Sequence, residues 1–144
     1  LSDGVLLTKL RRIPTPRGAV LHGIKSVDPG YAGFGEAYFS MVDHGAVKGW
    51  KRHTRMVLNL VVCVGAIRFY VRGEDGWAGS VVLSPDADES HARLTVPPGL
   101  WMAFEGVSQA ANMVLNVASI GHDPSEAETA PIETFELALG EAIA

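Results

Sequence analysis

The sequence predicts an all-β fold, a sandwich or small barrel of short strands, on three observations. Alternating apolar segments recur between turn signals at spacings of roughly 8–12 residues, the rhythm of antiparallel strands. Sixteen Gly and eight Pro accompany 47% hydrophobic residues, a composition of strands and tight turns. The stretch 50–64 is apolar but carries polar residues at alternate positions, as a strand lining a ligand-filled interior would.

Each element follows from its local chemistry. Residues 5–13 read as an N-terminal strand, ended by Pro14 and Pro16 and turned at Arg17-Gly18. Residues 19–27 alternate as a second strand, closed by Asp28-Pro29-Gly30. After Gly33-Phe34-Gly35, residues 36–41 alternate so that Glu36, Tyr38 and Ser40 share a face. Gly45-Ala46-Val47 is the next turn. Residues 50–64 read as one long strand or a bulged pair, with Lys51, His53, Arg55, Asn59 and Cys63 on one face and Met56, Leu58 and Leu60 on the other. Residues 67–72 lead into the hairpin loop Arg72-Gly73-Glu74-Asp75-Gly76, and 81–83 is a short strand before the acidic turn 84–90. Residues 93–96 and 113–119 supply the last strands, with Pro97-Pro98-Gly99 as a corner. In the tail, Ser125 and Glu128 form a capping box. Residues 133–143 place Phe135, Leu139 and Ile143 on one helical face, which predicts a short C-terminal helix over a barrel edge.

A length of 144 residues fits a single domain over 1–144. No apolar run reaches the roughly 18 residues a membrane-spanning helix needs, since Asn59 and Gly65 interrupt the longest. No basic, apolar, small-residue order marks an N-terminal leader. The only cysteine, Cys63, cannot form an internal disulfide and reads as a packed small side chain, which agrees with a cytoplasmic setting. Charge is uneven: residues 1–55 hold nine Lys or Arg against four acids, and 56–144 hold three against twelve. An anion is therefore expected near the N-terminal half. The cluster Lys48, Lys51, Arg52, Arg55 lacks the aromatic and Gly-rich surroundings of an RNA site, so a small phosphorylated ligand is favoured over nucleic acid, with a solvated basic turn as the plainer alternative.

The stretch 45–65 has the frame of a cupin's first metal-binding motif, with Gly45 and Gly65 at its ends and His53 as the second His. Lys51 stands where the first His belongs, Val57 or Leu58 where the Glu belongs, and Met102 where a later ligand His would sit after Pro97-Pro98-Gly99. One His with a Lys and a Met is not a metal-ligand set, so no metal and no other cofactor is expected. From about residue 17 to 126 the chain resembles the cupin family of dTDP-4-dehydrorhamnose 3,5-epimerases and dTDP-sugar 3,4-ketoisomerases. Arg17-Gly18, Lys48-Gly49-Trp50-Lys51-Arg52-His53, Val96-Pro97-Pro98-Gly99-Leu100-Trp101 and the exit from Asn116 to Glu126 carry the likeness. It implies a double-stranded β-helix, the jelly-roll of cupins.

The resemblance also implies a reaction: proton abstraction beside the ketone of a dTDP- or other nucleotide-linked 4-keto-6-deoxyhexose, with stabilisation of the enolate. His53 is then the base, because its ordinary pKa is near neutrality. Lys51 stabilises the enolate or, if its neighbours neutralise it, serves as base. Asn116 occupies the position of the family's acidic Tyr and is expected to stabilise the enolate with Lys51, and no counterpart is found for the Asp that orients the family's base. Arg17, Lys48 and Arg55 are diphosphate contacts, and Asn59 and His122 are sugar contacts. Trp101 stacks on the ligand or packs in the core, and His122 contacts the ligand or caps the turn at Asp123-Pro124. His22, His44 and His91 are expected at the surface. A catalytically silent sugar-nucleotide or small-anion binder is the alternative, and a metal-dependent cupin a weaker third. The resemblance further implies a homodimer formed by N-terminal strand exchange, in which Arg17 reaches the neighbouring ligand.

Overall fold

The computed structural model describes residues 4–144. Two sheets face each other. The first runs, edge to edge, β1 (Leu6–Lys9), β9 (Ala92–Val96), β6 (Leu58–Val64), β11 (Met113–Ala118) and β4 (Glu36–Met41). The second runs β12 (Ala127–Thr129), β5 (Val47–His53), β10 (Trp101–Gly106), β7 (Ile67–Arg72), β8 (Ala78–Leu83) and β13 (Glu141–Ala142). A small hairpin pairs β2 (Arg12–Ile13) with β3 (Val20–Leu21). Between the sheets lies the apolar core, with Leu58, Leu60, Val62, Ile67, Phe69, Val71, Leu94 and Val114 all buried. The chain has the jelly-roll architecture that the cupin resemblance implies.

The stretch 50–64 is two strands, and they belong to opposite sheets. β5 ends at His53, residues 54–57 cross the gap, and β6 begins at Leu58. The crossover resets the alternation. On β5 the odd residues Lys51 and His53 look between the sheets, but on β6 the even residues Leu58 and Leu60 do. Asn59 therefore turns to the outer face. There it is buried beneath the 23–30 segment, donating to the Gly30 carbonyl at 3.0 Å and accepting from Thr95 Oγ1 at 2.6 Å. Arg93, fully buried beside it, ties down the same segment through the carbonyls of Gly23 and Pro29, both at 2.8 Å. Gly30 has φ +86°, and a Cβ there would meet Thr95 Oγ1 at 2.5 Å, so this close approach needs glycine. Cys63 is exposed rather than packed, and His91 is buried rather than at the surface.

No α-helix forms among the described residues. Pro124–Glu126 and Ile132–Thr134 are single 3-10 turns, and Asp123 rather than Ser125 caps the first, accepting from the Ser125 N–H at 3.0 Å. The rest of the tail is extended because its apolar side chains find partners on the outer face of the second sheet. Phe135 packs on Trp50 and Trp101 with ring centres 5.6 and 5.5 Å away, and the Arg72 guanidinium lies 4.3 Å over it. Trp50 Nε1 donates to the Ile132 carbonyl at 3.1 Å. Ile143 is buried beside β8. A helix of this length is marginal on its own, and tertiary packing overrides its Ala/Leu propensity.

Candidate functional site

A cavity of about 340 Å³ opens between the sheets. Leu58, Leu60, Phe69, Met102, Phe104 and Val114 form its apolar interior. Tyr38 and Ser40 reach it from β4, Asn116 from β11, and Lys48, Lys51 and His53 from β5. An outer vestibule of about 600 Å³ adjoins it, lined by Glu36, Met56, His122, Asp123 and Glu126. Tyr38, Lys51, His53 and Thr129 line both spaces and so mark the neck between them. The alternation that groups Glu36, Tyr38 and Ser40 on one face is what delivers them here.

His53 is held from two directions. Its carbonyl accepts the Gly99 N–H at 2.8 Å, so the Pro97-Pro98-Gly99 corner braces the end of β5. Its Nδ1 hydrogen-bonds the carboxylate of Glu126, which is almost fully buried. The second carboxylate oxygen accepts the backbone N–H groups of Arg55 and Met56, each at 3.2 Å. Burial pushes the Glu126 carboxyl up, but the His53 imidazole and those two backbone donors outweigh it and hold the group below the ordinary carboxylate range. An ionised Glu126 fixes the proton of His53 on Nδ1 and leaves Nε2 as a basic lone pair. The family resemblance leaves the base without an orienting carboxylate; in the structure Glu126 fills that need. The likeness ends on this very residue, but nothing in the sequence says that the 3-10 turn after Asp123-Pro124 folds it back under His53.

Asn116 is buried and bridges two groups: its Oδ1 accepts the Asn59 N–H at 3.1 Å and its Nδ2 donates to the Tyr38 hydroxyl at 3.0 Å. Because the phenol oxygen receives that bond, its own proton is available to a ligand in the neck. Tyr38 thus presents a phenol O–H on the wall opposite His53, supplied by β4. The sequence groups it on one face with Glu36 and Ser40, but its contact with Asn116 spans 78 positions.

The other expected residues divide. Lys48 lines the cavity with its ammonium 3.5 Å from Ser40 Oγ. His122 is exposed and lines the vestibule. Arg55 does not reach the cavity; it pairs with Asp123 at 2.7 Å on the rim. Asn59 is on the outer face, as described above. Trp101 packs beneath the Arg52 guanidinium, 4.7 Å from its ring centre, and against Phe135, which is the core alternative of its two readings. Arg17 is in an exposed turn beyond the residues that line either space. The uneven charge is largely cancelled across the fold: Arg12 pairs with Asp88, Arg52 with Glu74 and Glu128, and Arg55 with Asp123. Among the described residues, Lys48 and Lys51 have no carboxylate within ion-pair distance, so two uncompensated ammonium groups line the cavity. No three His, Cys, Asp or Glu side chains among the described residues converge as a metal-ligand set. No helix of the described residues is long and apolar enough to cross a membrane.

No protein-family model matches the chain, and no curated protein matches it. Among solved structures, a dTDP sugar isomerase from Desulfovibrio desulfuricans G20 superposes with a TM-score of 0.86 and 33% identity, covering 92% of this chain and 87% of that one. A sugar 3,4-ketoisomerase from Thermoanaerobacterium thermosaccharolyticum, in complex with TDP, superposes with a TM-score of 0.76 and 17% identity over 89% of each chain. A 3'-monoepimerase from Streptomyces bikiniensis, in complex with dTDP-quinovose, gives 0.77 and 18% identity over 92% of this chain and 72% of that one. The last two share the fold; the first shares a third of its sequence as well.

Proposed function

Because the chain belongs to the RmlC-like cupin family of dTDP-sugar isomerases and epimerases, we propose that it moves a proton next to the ketone of a dTDP-4-keto-6-deoxyhexose. The carrying observation is the neck, where a carboxylate-backed imidazole faces a phenol across the cavity. In this reading His53 Nε2 removes the acidic C–H at C3 or C5, and the Tyr38 phenol and the Lys51 ammonium stabilise the oxygen that gains charge. Asn116 holds the phenol in place rather than touching the enolate itself. Lys48 supplies positive charge for a diphosphate, with His122 at the vestibule wall. No metal is required, since the ketone already acidifies the carbon.

The testing experiment is solvent deuterium wash-in. dTDP-4-keto-6-deoxyglucose incubated with the protein in D2O gains deuterium at C3 or C5, read by mass spectrometry and NMR. If no 4-keto sugar nucleotide exchanges while dTDP still stabilises the protein to heat, the chain is the silent binder instead.

We also infer a homodimer. Residues 6–41 include no buried residue, although Phe34, Phe39 and Met41 are 65, 64 and 51% exposed. Large apolar side chains left uncovered together on β4 and just before it favour a second copy over water. β1 pairs with β9 of its own chain, so the sheet face at β4 and the arm carrying Arg17, rather than β1, are the parts that would reach the neighbour.

A further inference from the structure

We propose that Lys51 is a nucleophile, whose amine condenses with the substrate ketone so that His53 takes its proton from an imine rather than from the free ketone. This rests on the reading that a 4-keto sugar occupies the neck. Lys51 and His53 are two apart on β5 and both face the neck. β5 is an interior strand: Lys51 is in register with Met102 of β10 on one side and Thr129 of β12 on the other, which fixes where its side chain starts. Among the described residues no carboxylate is within ion-pair distance of its ammonium. Glu126, the buried acid of the neck, has one oxygen on His53 and the other on two backbone N–H groups. A lysine wanted only as a fixed charge is usually tied down by an acid; this one is free to approach an electrophile. Lys51 is exposed to the neck, and the apolar interior behind it, from Leu60 to Phe104, suits the loss of water that imine formation demands.

The steps balance without an oxidant or reductant. Lys51 first gives its extra proton to solvent through the open vestibule. The freed Nζ lone pair then forms a C–N bond at C4 while the carbonyl π pair moves to oxygen. That oxygen takes a proton from the Tyr38 phenol, which recovers it when the imine is hydrolysed. The carbinolamine then loses that oxygen as water, using the proton released by nitrogen, and leaves a protonated imine. His53 removes the proton at C3 or C5; the C–H pair becomes the enamine double bond and the imine pair returns to nitrogen. Reprotonation of carbon and attack of water on the imine release the product and restore the amine. A protonated imine is a stronger electron sink than a ketone, so the lysine here does more than neutralise an enolate.

Incubation with dTDP-4-keto-6-deoxyglucose and cyanoborohydride, which reduces iminium ions ahead of ketones, tests this. The expected result is a single sugar-nucleotide adduct on the peptide carrying Lys51, and none in Lys51→Arg, which keeps the charge but not the nucleophile. Deuterium exchange by Lys51→Arg should also fall by roughly 100-fold or more. An adduct on Lys48, no adduct while wild-type exchange proceeds, or Lys51→Arg exchange within about tenfold of wild type overturns the imine and leaves the proton-transfer reading standing. Failure of wild-type protein both to bind dTDP and to exchange overturns the two together.

Discussion

The two walls of the neck are built very differently. The β5 wall is interior to its sheet, and its His53 is fixed at the backbone by Gly99 and at the ring by a buried carboxylate that itself accepts two more bonds. The β4 wall is the edge of its sheet, and Tyr38 is 39% exposed, held at its hydroxyl by the amide of Asn116. A base must keep one tautomer aimed at one carbon, which rewards a stiff frame. An acid that follows an oxygen as it changes charge tolerates a looser one. On the proposed function, the β5 wall would carry both stability and chemistry, and the β4 wall chemistry and association.

Breaking the stiff wall should have the largest effect. Glu126→Ala strands three donors in the interior, so it should cost about 3 kcal/mol in urea unfolding and lower deuterium exchange by roughly 100-fold. The same residue predicts a pH dependence. Its carboxyl sits below the ordinary range in the folded protein, so the unfolded chain binds the proton more readily. The stabilisation is complete above the unfolded value of about 4.3 and is lost as pH falls through the lower folded value. Urea midpoints measured from pH 7 downward should drop steeply there, and Glu126→Gln should flatten that drop. An unchanged acid limb in Glu126→Gln would mean that the carboxylate does not govern the wall.

Perturbing the loose wall should separate stability from rate. Tyr38→Phe removes a half-exposed hydroxyl and should leave stability within about 0.5 kcal/mol, while exchange falls about 10- to 100-fold. Asn116→Ala should cost about 1–3 kcal/mol, because the Asn59 N–H loses its acceptor in the core. Its effect on exchange should be smaller than that of Tyr38→Phe, since the phenol remains and only its tether goes. The reverse order would make Asn116 itself the group that meets the developing oxyanion.

How much of this was legible follows the range of each signal. Turn residues and period-two alternation are local, so the strands around Tyr38, Phe69 and Leu94 could be placed from sequence, as could the inward face of Lys51 and His53. Alternation carried too far failed at 54–57: the chain changes sheets there, and Asn59 and Arg55 left the face that Lys51 had defined. The tail failed for a related reason, because the helical spacing of Phe135 and Leu139 weighs less than the aromatic pocket between Trp50 and Trp101. Glu126 and the Tyr38–Asn116 bond join positions 73 and 78 apart from their partners, and no local pattern encodes such pairs.

The smallest effect on the isolated fold should come from the outer side of β4. Phe39 is 64% exposed and points away from the neck, beside Met41 on the edge strand. Phe39→Glu replaces apolar surface that no intrachain contact buries, so a monomer should lose less than about 0.5 kcal/mol. If a second copy covers that face, the same change buries an unpaired charge twice in each symmetric dimer. Light scattering should then show a dimer for the wild-type protein and a monomer for Phe39→Glu, with the His53 wall and its pH response intact. Two dimers of equal stability would move the interface off β4 and leave Phe34, Phe39 and Met41 as ordinary surface.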